Sequence, residues 1–146
     1  MQKQYYDYNT FLIDYKKISK MLQNKNIDAI IAIARGGVTF GHFLSLSLGI
    51  RQFYTINAIS YNDTLKLDKL MIYNIPKLNN CSKVLICDDI IDSGDTMKEV
   101  LNILQNNYSD IEFETIALFY KLDAKISPTY KTSIAKCWID FFWEKD

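Results

Sequence analysis

VLICDDIIDSGDT, residues Val84 to Thr96, decides how this chain folds. Val84, Leu85, Ile86 and Cys87 form an apolar run with β-branched members, which suits a strand buried on both faces of a parallel sheet. The strand is expected to stop there, because Asp88, Asp89 and Asp92 follow as an acidic turn. Ser93-Gly94-Asp95-Thr96 then supplies a small, hydroxyl-bearing loop, and Met97 to Leu104 resumes with the apolar spacing of a helix. A helix start offers unpaired N–H groups and the positive end of a dipole, so such a loop binds phosphate, with Ser93 and Thr96 as added hydroxyl donors. Carboxylates beside a phosphate repel it unless sugar hydroxyls donate to them or a divalent cation lies between the charges. A phosphorylated sugar with magnesium meets both demands. The glycine pattern fits neither a Walker loop, which requires Gly-Lys-Ser/Thr, nor a Rossmann fingerprint with its three spaced glycines. The alternative is a core strand ending in a solvated acidic turn, with Ser93 or Asp92 capping the next helix.

Upstream, Thr10 is the expected cap of a helix in which Leu12, Tyr15, Ile18, Met21 and Leu22 share one face. Asp28 to Ala34 reads as a central strand, and Val38 to Leu48 as a helix stopped by Gly49. Between them lies Arg35-Gly36-Gly37. Two glycines let an anion approach the backbone amides and Arg35 supplies a fixed positive charge, so a diphosphate fits this turn; alone, the same residues also suit a plain tight turn. Gln52 to Ser60 reads as a further strand, whereas Asn62 to Asn74 is polar at first and only weakly periodic. Downstream, Glu112 to Tyr120 is another strand with Lys121 at its carboxyl end, the end at which open α/β sheets gather ligands. His42 is the only histidine and is expected to be structural.

The alternation of apolar and acidic positions through Val84 to Thr96 resembles the phosphoribosyl-diphosphate motif of type I phosphoribosyltransferases. The resemblance runs from Ile30 to Glu144 and implies an α/β fold, a mostly parallel twisted sheet flanked by helices, with a small C-terminal hood over residues 121–146. It implies that Arg35, Gly36 and Gly37 hold pyrophosphate, with a cis peptide at Ala34-Arg35. Asp88 and Asp89 would orient ribose hydroxyls, Asp89 with magnesium, and Ser93, Gly94, Asp95 and Thr96 would anchor the 5-phosphate. Asp92 would take the proton from purine N7. Ser60-Tyr61 matches the pair that precedes a mobile lid in relatives, which places the lid at 60–74. The tail, with Trp138-Ile139-Asp140 and then Trp143-Glu144, is most similar to the xanthine-guanine branch. There Lys121 would meet the purine O6, Trp138 would stack on the base, and the Ile139 carbonyl would accept from the exocyclic amine of guanine. For Trp143 a place in the core or an interface is preferred. Relatives often carry Thr at the position of Ser93, and Gly or Lys at that of Asp95.

The implied reaction transfers a 5-phosphoribosyl group from phosphoribosyl diphosphate to a 6-oxopurine and releases pyrophosphate. A transferase for another base, and a sensor of phosphoribosyl diphosphate on the same fold, are the rival readings. With 146 residues, about half of them apolar, one domain spanning 1–146 is expected. Seventeen basic residues balance seventeen acidic ones, so no general field favours nucleic acid. No apolar run reaches membrane-spanning length and MQKQYYDYNT is polar, so a cytoplasmic location without membrane insertion is expected. Cys81, Cys87 and Cys137 lack the spacing of a zinc site or a disulfide framework. A homodimer or homotetramer is expected from the resemblance.

Overall fold

The computed structural model describes residues 2–62 and 68–144. In chain order its elements are β1 (Lys3–Tyr6), α1 (Tyr8–Leu22), β2 (Ala29–Ala34), α2 (Val38–Ser47), β3 (Phe53–Asn62), β4 (Asp68–Tyr73), β5 (Lys83–Ile91), α3 (Asp95–Asn107), β6 (Glu112–Tyr120), β7 (Ser133–Ile134) and β8 (Trp138–Phe141). Six strands form the main sheet in the order β4-β3-β2-β5-β6-β7, with β4 antiparallel to β3 and the other pairs parallel. The expected mostly parallel sheet flanked by helices is therefore the observed one.

Period-two alternation explains why β2 and β5 are apolar at nearly every position. Ile30, Ala32, Leu85 and Cys87 face a core shared with Phe11, Ile18 and Leu22 of α1 and Phe40 and Leu44 of α2. Ala29, Ile31, Ile33, Val84 and Ile86 face the opposite core, closed by Met97, Val100 and Leu104 of α3. Each of these three helical side chains is almost wholly buried, worth about 1.5–3 kcal/mol apiece relative to exposure. α2 lies close on the sheet because position 41 is glycine: a Cβ there would stand 2.8 Å from Cys87 Sγ and 2.9 Å from Ala32 Cβ.

Several local expectations need correction. β5 does not stop at Cys87 but runs on to Ile91, so Asp88 and Asp89 belong to the strand. Asp88 pairs with Ala117 and Ile90 with Phe119. Around Asp89 the carboxylates themselves accept backbone donors: Asp89 N–H reaches Asp88 Oδ1 at 2.9 Å, and Ile90 N–H reaches Asp89 Oδ1 at 2.7 Å. The cap of α1 is Asp7, which accepts from Thr10 N–H at 2.7 Å, so Thr10 is the capped residue. The segment expected as a lid has paired arms, from Asn57↔Tyr73 to Asn62↔Asp68, with Ser60 and Tyr61 on β3; residues 63–67 of that segment lie outside the described residues. His42 sits exposed on α2, edge-on to Phe43 and Phe53.

The N-terminal stretch is not a plain polar lead-in. Lys3 to Tyr6 forms β1 and pairs in parallel with β8, from Lys3↔Trp138 to Tyr6↔Phe141. Tyr6 anchors this ribbon to the core, edge-on to Phe11, Phe119 and Phe141, while its hydroxyl donates to Asp14 at 2.7 Å.

Candidate active site

β2 leads on to β3 on one side and β5 to β6 on the other, so the order of strands reverses between β2 and β5. In open α/β sheets this crevice at the carboxyl ends is where ligands bind. Arg35-Gly36-Gly37 leaves the end of β2, and Asp88 and Asp89 occupy the end of β5. A cavity of about 670 Å³ opens between them, lined by Arg35, Gly36, Asp88, Asp89 and Thr96 and, from the far end of the chain, by Trp143 and Glu144. The Ala34–Arg35 peptide is cis, as the resemblance implies.

The glycines of this turn are required by packing as much as by a ligand. A Cβ on Gly36 would lie 2.7 Å from Asp89 Cγ, and one on Gly37 would lie 2.6 Å from the Cys87 carbonyl oxygen and 2.8 Å from Asp88 Cα. Gly37 N–H already donates to the Ile33 carbonyl at 2.8 Å. Its amide is therefore occupied, which leaves Arg35 and Gly36 as the members of the turn that line the cavity.

Burial pushes the carboxyls of both Asp88 and Asp89 above the ordinary range, and the Asp89 charge adds to the effect at Asp88. A carboxyl whose folded pKa is raised loses stability as pH climbs from its ordinary value through the raised one. At neutral pH, Asp88→Asn should thus stabilise the fold by roughly 1 kcal/mol, or about 3–5 °C in Tm, and the gain should vanish in acid. Thermal melts at pH 7.5 and pH 4 check this; a variant no more stable than the parent at pH 7.5 would refute it. The same pair bears on metal binding. Among the described residues no group of three or more His, Cys, Asp or Glu is placed to hold an ion alone. Two adjacent carboxylates whose ionisation is opposed by burial are a donor set that a hard divalent cation would fit.

A second cavity, of about 880 Å³, is lined by Asp92, Lys121, Trp138, Ile139 and Glu144. Lys121 Nζ lies 2.5 Å from Asp92 Oδ1. That bond, with the Asp92 charge, raises the lysine pKa. The Lys121 backbone is fixed as well, its N–H donating to the Ile91 carbonyl at 3.0 Å. Trp138 opens β8 with 52% of its surface exposed, on the wall of this cavity. Ile139, the next residue, is 4% exposed and pairs with Gln4 of β1.

The loop at the start of α3 also differs from the plain acidic turn. Its N-cap is Gly94, in the left-handed region at φ 89°, which has no side chain to cap with. Neither Ser93 nor Asp92 is the N-cap residue, although Ser93 Oγ accepts from the first N–H of the helix, that of Asp95, at 3.2 Å. A Cβ on Gly94 would stand 2.9 Å from Lys125 N, so the loop is packed against the segment that follows β6.

Residues 1–145 match the phosphoribosyl transferase domain family. The chain belongs to that family. It is 40% identical to a Helicobacter pylori xanthine-guanine-hypoxanthine phosphoribosyltransferase of known structure, with a TM-score of 0.90 over 98% of this chain and 94% of that one. A purine phosphoribosyltransferase from Pyrococcus horikoshii is 27% identical, with a TM-score of 0.87 over 100% of this chain and 97% of the other. A xanthine-guanine phosphoribosyltransferase from Chromohalobacter salexigens is 24% identical over 133 residues, which cover 90% of this chain and 77% of the relative. The resemblance to the xanthine-guanine branch of the phosphoribosyltransferases is thereby borne out.

Within this phosphoribosyltransferase, Arg35, Gly36, Asp88, Asp89 and Thr96 share one cavity, and Asp92, Lys121, Trp138 and Ile139 share the other. Asp95 lines neither and faces a separate groove on α3 with Lys98 and Leu70. Glu144, read from sequence only as part of a tail pattern, lines both cavities, and burial, then the charges of Asp89 and Asp140, push its carboxyl up. Trp143 combines two roles. It stacks on Phe141 at 4.8 Å, as a core aromatic would, and its buried indole N–H, though it completes no hydrogen bond of ordinary geometry, is close enough to Asp89 to favour the charged carboxylate. Among the described residues no helix is long and apolar enough to cross a membrane.

Proposed function

We propose that this phosphoribosyltransferase transfers a 5-phosphoribosyl group from phosphoribosyl diphosphate to a 6-oxopurine. The observation that carries the reading is the contact between Lys121 and Asp92 in the cavity that Trp138 also lines. A 6-oxopurine protonated at N7 shows an acceptor, O6, next to a donor, N7–H. An ammonium beside a carboxylate presents the complementary donor and acceptor. Adenine offers an amine in place of O6, which would leave Lys121 without an acceptor and so disfavour that base. The xanthine, guanine and hypoxanthine activities in the names of the similar proteins support the same choice.

The neighbouring cavity accommodates the sugar and its leaving group. Arg35 faces the diphosphate, Asp88 and Asp89 accept from ribose hydroxyls, and the loop from Ser93 to Thr96 seats the 5-phosphate at the start of α3. Asp89, with Asp88 beside it, would hold a magnesium ion, whose charge would neutralise that of the departing pyrophosphate. A ring nitrogen of the base forms its bond to C1 as the bond from C1 to the diphosphate oxygen breaks, and the proton on N7 passes to Asp92. Arg35 contributes to rate insofar as its attraction grows while the leaving charge develops.

The test is pyrophosphate release from phosphoribosyl diphosphate and magnesium, with guanine, xanthine, hypoxanthine, adenine and uracil offered separately. Release with 6-oxopurines and not with adenine or uracil is expected. Release with uracil or adenine alone would assign another base, and silence with all five despite measurable binding of phosphoribosyl diphosphate would make the chain a sensor. For Trp138→Ala, loss of the stacking face should raise the KM for the base about 10- to 100-fold and change kcat little. An unaltered base KM would remove Trp138 from base recognition.

A further inference from the structure

Asp95 places a negative charge in the loop that the reading above gives to a phosphate. Its carboxylate is not left idle. Asp95 Oδ1 lies 2.6 Å from Lys125 Nζ, and Asp95 Oδ2 accepts from the Ser93 hydroxyl at 3.2 Å. Asp95 N–H donates in turn to Ser93 Oγ at 3.2 Å. The Ser93 hydroxyl and one of the loop's amides are thus turned inward, onto each other and onto the acid. Lys125 is brought there by its backbone: its N–H donates to the Ser93 carbonyl at 2.8 Å, and its amide nitrogen sits against Gly94 with no room for a Cβ. Both charged side chains are more than half exposed, so the ammonium is free to swing on its four-carbon stem while its backbone stays pinned to the loop.

We infer that Lys125 is a specificity-determining cation for the 5-phosphate, held on Asp95 until the ligand arrives, and that Asp95 is the competing anion that sets the loop's affinity. This rests on the Ser93–Thr96 loop being the 5-phosphate seat. A phosphate offers three strong acceptor oxygens and more negative charge than a carboxylate, so it can take over Lys125, the Ser93 hydroxyl and the Asp95 amide together. Asp95 then remains beside the bound dianion as a like charge, which lowers affinity. The arrangement makes phosphate binding an exchange of one anion for another at a cation already in place.

Calorimetric titration, with no base present, distinguishes the roles. The probes are phosphoribosyl diphosphate, ribose 5-phosphate and, as the ligand lacking a 5-phosphate, pyrophosphate. The proteins are the parent, Asp95→Asn, Lys125→Met and the double variant. Lys125→Met should weaken the first two ligands about tenfold and leave pyrophosphate unchanged, whereas Asp95→Asn should tighten the first two about three- to fivefold. In the double variant the tenfold loss relative to Asp95→Asn should persist, because Lys125 acts on the ligand. If Lys125→Met costs nothing once Asp95 is neutral, the lysine serves only as the counter-ion of Asp95 and the inference fails. An equal loss for pyrophosphate would also overturn it, by reducing the effect to general charge. A parent protein that binds phosphoribosyl diphosphate but gives a flat variant series overturns this inference alone; a parent that binds none of the probes overturns the functional reading with it.

Discussion

Asp92→Asn is expected to lower kcat by about 10²–10³-fold while the KM for phosphoribosyl diphosphate changes little. The asparagine keeps the size of the side chain but cannot take a proton from N7 of the base. It also loses the charge that holds Lys121, which in the parent stands 2.5 Å away. The liberated ammonium still reaches O6, so base binding should suffer less than turnover. Steady-state kinetics with a saturating 6-oxopurine measures the split. An Asn variant that turns over at the parental rate would take Asp92 out of the chemistry, and one that fails only in base KM would make it a binding group.

The second large effect concerns the glycine turn after β2, where adjacent substitutions should fail for different reasons. In Gly36→Ala the added methyl meets the end of the Asp89 side chain, 2.7 Å from its Cγ. A side chain can rotate away, so the fold should survive while Asp89 leaves its position, and kcat/KM should fall about 10²-fold. In Gly37→Ala the methyl meets main chain, the Cys87 carbonyl oxygen at 2.6 Å and Asp88 Cα at 2.8 Å. Backbone on the central strand cannot yield locally, so this variant should lose roughly 2–3 kcal/mol, or about 5–10 °C in Tm. Melting curves and activity measured on both variants separate the cases. Equal melting temperatures for the two would contradict the distinction.

Much of the site was legible because its signals are local. The apolar run from Val84 to Cys87 followed by Gly94 and Thr96 fixes strand, loop and helix within a few residues, and Lys121 follows directly from the end of β6. The errors arise where distant partners intervene. Asp88 and Asp89 read as a turn because carboxylates are poor strand formers, yet pairing to β6 and their own acceptance of N–H donors carry them along the strand. Thr10 looked like a cap because Asp7 has the same capacity, and only the hydrogen bond decides between them. β1 could not be recognised from Lys3 to Tyr6, since only Tyr6 is buried and its strand partner comes from the other end of the chain. Glu144 and the Asp95–Lys125 pair are likewise matters of three-dimensional neighbourhood, for which short-range spacing holds no signal.

The pairing of β1 with β8 also has a bearing on the order of assembly. β2 and β5 can meet as soon as their own segments and the connection between them exist, but Lys3 waits for Trp138 across nearly the whole sequence. Contacts of such long separation carry the largest loop-closure cost and tend to form late. β2, β5 and the turns at their carboxyl ends are therefore synthesised well before the strand that presents Trp138. The wall that Trp138 to Glu144 give to both cavities is accordingly the last part of the site to be completed.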